Sequence, residues 1–138
     1  MVDSAEDELR LTVMRLARRI RLERGSEELR DHHLSVLFTL LREGPMSIGR
    51  LGEIERVSAP AMTRTVDAMV SAGHLARTAE PDDARRVVVS MTEAGRRAAT
   101  EVRIRRAEWF SAALQQLDDE ERRTLSNAVR LLQRLADS

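Results

Sequence analysis

Apolar residues recur at helical spacing along nearly all of this 138-residue chain, and the spacing breaks at one place. From Leu75 to Met91 the period changes. Leu75-Ala76-Arg77-Thr78 reads as a short strand, and the β-branched run Val87-Val88-Val89-Ser90-Met91 reads as a second. Between them, Glu80-Pro81-Asp82-Asp83-Ala84-Arg85-Arg86 is a polar, Pro-containing turn. The pair predicts one hairpin with a long charged tip in a chain that is otherwise helical. The expected fold class is therefore mainly α with a small β-hairpin.

The helices carry their own boundaries. Ser4 is placed to cap the first, which runs through Leu9, Val13, Leu16 and Ile20 and ends by Gly25. A second starts near Asp31, carries Leu34, Leu37, Phe38 and Leu41 on one face, and stops at Gly44-Pro45. Two short helical units follow. Ser47 can cap the first, with Ile48, Leu51 and Ile54; Ser58 can cap the second, with Pro60 in its first turn, where a missing N–H costs little. After the hairpin, Thr92 can cap a long helix reaching Leu117, and Asp118 with Glu121 makes a capping box for the last.

Between residues 34 and 91 the order is helix, helix-turn-helix, hairpin, which is a winged helix-turn-helix. Its second short helix fits a major groove roughly 12 Å wide, and the hairpin reaches flanking backbone or minor groove. On that helix Met62, Val66, Met69 and Val70 face inward. Ser58, Ala59, Pro60, Ala61, Thr63, Arg64 and Asp67 are left at its start or on its outer face. Small residues permit close approach to base edges, Arg64 can reach guanine or phosphate, and Thr63 can reach phosphate or a thymine methyl. An ordinary amphipathic helix with a polar outer face is the competing reading.

Charge does not point to nucleic acid. Twenty-three basic residues, all Arg, balance 23 acids, and no third of the chain is strongly basic: eight Arg against nine acids over 1–45, eight against seven over 46–97, seven against seven over 98–138. A DNA footprint would have to come from the placement of a few guanidiniums, which grip phosphate and guanine bidentately. The helices outside the winged module are strongly amphipathic, and pairing them with a second copy would bury surface that a module of this size cannot cover. A two-fold dimer presents two recognition helices about 34 Å apart to a pseudo-palindrome; an intramolecular bundle is the alternative. The expected division is a dimerisation helix over 1–30, the DNA-binding module over 31–97 and dimerisation helices over 98–138.

Two stretches resemble the MarR family of bacterial regulators. Asp83-Ala84-Arg85-Arg86-Val87-Val88-Val89-Ser90-Met91-Thr92-Glu93-Ala94-Gly95 keeps the spacing of that family's wing and following helix, with Met91 where Leu is usual. Met62 to Arg77, ending in Gly73-His74-Leu75-Ala76-Arg77, is similar to its recognition helix and first wing strand. The resemblance implies a homodimeric repressor. Arg85 would enter the minor groove, where a narrow groove concentrates negative potential. Asp83 would hold it by a local ion pair, and Arg77 would support the wing or touch phosphate. Arg86 is a further candidate contact. The resemblance also implies release of DNA by a small aromatic or phenolic ligand between the dimer helices and the winged module. Met14, Arg18, His33, Phe38, Trp109 and Phe110 are candidate contacts, though core or dimer packing is the favoured reading of each.

Other chemistries find little support. The chain has no Cys, which excludes thiol sensing, disulfides and thiolate metal sites. His32 and His33 point about 100° apart on a helix and His74 is distant in sequence, so no metal or other cofactor is expected. No glycine-rich phosphate loop or cluster of His and carboxylates suggests an enzyme. The acidic N-terminus lacks an apolar segment, and the expected location is the cytoplasm. A winged-helix module that binds protein and not DNA stays open; the surface of Thr63, Arg64 and Arg85 is what such a module would not need.

Overall fold

The computed structural model describes residues 3–25, 29–80 and 82–138. It contains α1 (Ser4–Leu22), α2 (Asp31–Glu43), α3 (Ile48–Glu55), α4 (Ala59–Ser71), β1 (Leu75–Glu80), β2 (Asp83–Met91), α5 (Glu93–Leu114) and α6 (Asp119–Ala136). The chain divides into two compact units, residues 24–104 and a terminal unit of residues 1–23 with 105–138. The winged helix-turn-helix lies wholly in the first.

The winged unit is built on a buried apolar cluster. Leu34, Leu37 and Leu40 of α2 meet Leu51 of α3, Met62, Val66 and Met69 of α4, Val89 of β2 and Val102 of α5. Val70 packs against this cluster without being fully buried. A charge-assisted pair of hydrogen bonds fastens α3 to α2: the Ser35 and Thr39 hydroxyls donate to the two carboxylate oxygens of Glu55, each at 2.7 Å. The turn from α3 to α4 is tight. Val57 N–H donates to Gly52 O at 3.0 Å, and a Cβ at Gly52 would lie 3.1 Å from the Val57 carbonyl oxygen. Arg56 completes the turn in the left-handed region, at φ 56°.

The local caps act where the sequence places them. Ser47 Oγ accepts from Arg50 N–H, Ser58 Oγ from Ala61 N–H, and Asp118 with Glu121 forms the reciprocal box. At α1 the cap is Asp3, not Ser4: the Asp3 carboxylate accepts from Ala5 N–H at 3.3 Å and Ser4 is already helical. Asp is as good a cap as Ser, so the helix gains a residue at its start. Helix α5 ends at Leu114, three residues before Leu117: the chain tightens there, with Leu117 N–H donating to Leu114 O at 3.1 Å, and Arg122 folds back to donate to the Leu114 and Leu117 carbonyls.

Thr92 shows why Thr-x-x-Gly opens α5. Its hydroxyl accepts from Gly95 N–H at 3.1 Å and donates to Gly73 O at 2.6 Å, while its N–H donates to His74 O at 3.1 Å. The end of α4 is thereby stitched to the start of α5. A Cβ at Gly95 would fall 2.2 Å from the His74 carbonyl oxygen, so no side chain fits there.

The hairpin is longer than its apolar residues suggest. Leu75↔Met91 to Ala79↔Val87 pair in regular antiparallel register, and Glu80 then pairs with Asp83 across a bulge. Residues 84–86 are the extra length on β2, so Arg85 and Arg86 lie in its irregular part, off the regular ladder. A further bridge ties the hairpin to the segment before α3: Met46 and Val89 exchange N–H···O bonds of 3.2 and 2.7 Å.

In the terminal unit, α1 meets the second half of α5. The Arg19 guanidinium sits 4.3 Å from the Trp109 ring centroid, and Arg106 Nε–H donates to Glu23 O at 3.2 Å. No described residue of this unit is fully buried.

Candidate nucleic-acid interface

Helix α4 and the hairpin form one outward surface, and the sequence explains how it is held. Met62, Val66 and Met69 anchor α4 in the core, which turns Ala59, Pro60, Thr63, Arg64 and Asp67 to solvent. Ala61 is half-buried at one flank. The Thr63 hydroxyl donates to Ala59 O at 2.9 Å, leaving its oxygen lone pairs and methyl outward. Arg64 is exposed and makes no ion pair among the described residues.

Arg77 of β1 pairs with Asp67 of α4. The Asp67 carboxylate is more than half exposed, so the pair contributes at most about 1 kcal/mol of stability. Its consequence is orientation: it ties the base of the wing to the middle of the recognition helix. Asp67 was visible in the sequence only as an outward position, because its partner lies ten residues on in another element.

At the wing tip Asp83 grips backbone more firmly than charge. Its carboxylate accepts from Arg85 N–H at 3.0 Å, while the Arg85 Nε lies 3.7 Å away. The Arg85 side chain is 95% exposed. Its guanidinium therefore projects into water, within reach of a partner that approaches the wing tip. Arg86 is 3.8 Å from Glu80 and also exposed. Together with Arg50, which the sequence did not single out, Arg86 lines a groove of about 340 Å³ between the hairpin and the start of α3.

The other candidate residues divide between the units. Met14, Arg18, Trp109 and Phe110 are in the terminal unit, where the Trp109 and Phe110 rings lie 6.3 Å apart. His33 and Phe38 are in the winged unit; Phe38 packs against its core. His33 has its pKa held below the usual histidine value, first by burial and then by the charges of His32, Arg30 and His74. Among the described residues no cluster of three or more His, Cys, Asp or Glu could hold a metal ion, and no helix is long and apolar enough to cross a membrane.

Comparison with known proteins agrees with this geometry. Residues 29–87 match the family model described as MarR family. An HTH-type transcriptional regulator of Mycobacterium bovis is 38% identical over 130 residues, covering 94% of this chain and 91% of the relative. Among solved structures, a MarR family protein from Bacillus stearothermophilus superimposes with a TM-score of 0.85 at 25% identity, covering 97% of this chain and 94% of its own. The PcaV transcriptional regulator from Streptomyces coelicolor, solved in complex with its natural ligand, superimposes with a TM-score of 0.68 at 22% identity, covering 100% of this chain and 97% of its own. With the winged architecture in place and a relative of that identity aligned along nearly the whole length, the chain belongs to the MarR family of DNA-binding, winged-helix transcriptional regulators.

Proposed function

We propose that this protein is a homodimeric repressor that binds a pseudo-palindromic operator in the cytoplasm. One observation carries the DNA-contact part of the reading. Arg64 on α4 and Arg85 on the wing stand exposed on a single compact unit, with Asp67–Arg77 linking their elements. Helix α4 would enter the major groove, with Ala59, Pro60 and Ala61 permitting close approach and Thr63 and Arg64 contacting bases or phosphate. Ser58 supports this face by capping the helix. Arg85 would enter the adjacent minor groove, with Asp83 shaping the tip and Arg86 on the flanking backbone. A few placed guanidiniums reconcile DNA binding with a net charge of zero.

The dimer rests on the terminal unit. Leu9, Val13 and Leu16 on α1 and Leu125, Val129 and Leu132 on α6 form apolar stripes that remain largely in water in a single chain. Covering such stripes with a second copy gives a two-fold dimer, the symmetry that suits a pseudo-palindrome. For release we propose a small aromatic or phenolic effector, on the precedent of a family fold that in PcaV holds a natural ligand. Met14, Arg18, His33, Phe38, Trp109 and Phe110 are its candidate contacts. No catalytic step or cofactor belongs to this reading.

The test begins with selection of bound duplexes from a random pool. A recovered consensus with two half-sites about one helical turn apart is the expected result. Arg85→Ala should then weaken binding to the selected duplex roughly tenfold, in keeping with about 1–3 kcal/mol for a good contact. No enrichment of any sequence would refute the reading, and unchanged affinity of the variant would refute the role of the wing.

A further inference from the structure

The recognition helix has two flanks, and the wing occupies only one. Thr63, Asp67 and Val70 lie toward the hairpin side of α4, where Asp67 meets Arg77. On the opposite flank, Ala61, Arg64, Thr65 and Ala68 face Arg30, His32 and His33 from the start of α2 across an open groove of about 580 Å³. Its lining carries two guanidiniums and two imidazoles, and no acid among the described residues. Neither Arg30 nor Arg64 makes an ion pair among the described residues. The adjacent Asp31 is engaged by Arg24 at 2.6 Å. The small side chains of Ala61 and Ala68 leave the floor of the groove open.

Two guanidiniums on an open groove with no acid among its described lining residues are an unfavourable arrangement for an isolated protein, because like charges repel. The repulsion is felt inside the groove. His33 is disfavoured as a cation by burial, and next by its neighbours His32, Arg30 and His74. Such an arrangement becomes favourable when an oxyanion enters. The groove also opens beside the outward face of α4. With α4 in a major groove, one sugar-phosphate strand borders it on the wing side and the other on this flank.

We propose that Arg30 and His32 grip a DNA backbone phosphate on the flank of the recognition helix opposite the wing, with Arg64 across the groove left to the bases. The proposal rests on the DNA-binding reading above and adds a contact from α2 that neither the helix-turn-helix nor the wing supplies. The recognition helix is thereby held between two cationic points, the wing arginines on one strand and the α2 start on the other. Phosphate contacts position a protein without reading sequence. This second grip accordingly sets the depth and angle of α4 and leaves base preference to Thr63 and Arg64.

The experiment measures affinity of the full-length protein for a selected operator and for a random-sequence duplex of equal length, across a range of salt concentrations. Arg30→Ala should weaken both complexes by the same factor, roughly fivefold to tenfold, and reduce the slope of log affinity against log salt by about one per protomer bound. Arg30→Lys should restore the slope, since it keeps the charge. Thermal melting confirms that both variants fold. An unchanged slope in folded Arg30→Ala would overturn the proposal while leaving operator binding by the wild type intact. A wild type that binds no duplex would overturn the underlying reading as well. A second arm follows the ring protons of His32 and His33 by NMR. They should shift on adding duplex at equimolar concentration. Saturation by millimolar inorganic phosphate, against a chloride control of matched ionic strength, with no response to duplex, would make the groove a site for free oxyanions and overturn the assignment to DNA.

Discussion

The winged unit and the terminal unit solve the burial problem differently. In residues 24–104, Leu37, Leu51, Val66, Val89 and Ala99 are completely removed from solvent. In the terminal unit, α1 and α6 contain no fully buried residue, and Leu9 remains 55% and Leu135 64% exposed. Both sequences are amphipathic at helical spacing. The difference is that α2, α3, α4, the hairpin and the first half of α5 supply faces to one another, whereas the apolar stripes of α1 and α6 stay about half exposed. A large aliphatic side chain gains roughly 1.5–3 kcal/mol on full burial, so several left half-exposed per helix represent a free energy comparable to the stability of a domain. The winged unit thus buries its own apolar faces, whereas the terminal unit leaves the stripes of α1 and α6 about half exposed.

The sharpest way to break the winged half of that comparison is at Gly95. Gly95→Ala places a methyl where the His74 carbonyl oxygen now lies, and the stitch between α4 and α5 must open. The expected loss is about 3 kcal/mol or more, independent of protein concentration, measured by urea unfolding. A loss below about 1 kcal/mol would show that the close approach is not needed. The terminal half is tested by Leu132→Asp. A surface substitution in a self-sufficient unit changes stability by about 0.5 kcal/mol or less. Here the variant should instead shift the light-scattering mass at micromolar concentration from near twice 15.6 kDa to 15.6 kDa, with helical circular dichroism retained. A mass that stays doubled would exclude the α6 stripe as the interface.

The smallest effect concerns pH. His33 has a lower pKa folded than unfolded, so the unfolded chain binds the proton more readily. This contribution is absent well above the ordinary histidine value of 6.5 and destabilises the folded protein as pH falls through and below it. His33→Gln should flatten that part of the stability curve between about pH 7 and 5. An unaltered slope would mean that other groups carry the dependence.

The parts of the site legible in sequence are those whose cause lies within a few residues. Ser47, Ser58, Thr92 and Asp118 act on backbone groups three positions ahead, so their capping roles could be read from spacing. Asp3 displaced Ser4 at α1 because two good caps stood side by side. The extent of the hairpin was harder to read, because residues 84–86 enter β2 through a bulge and not through apolar alternation. Glu55 with Ser35 and Thr39, Met46 with Val89, and Asp67 with Arg77 could not be paired beforehand, since each joins two elements and many partners were available.

The sequence by itself determined the element order, the single hairpin, the inward face of α4 and the zero net charge. Those follow from periodicity, capping and composition, which are local properties. Only the tertiary structure decided that Gly95 must remain bare beneath the His74 carbonyl and that Asp67 meets Arg77. It also decided that Arg30 and His32 share a groove with Arg64. These are meetings between distant segments, and they arise because burying one set of apolar faces brings otherwise unrelated polar residues together.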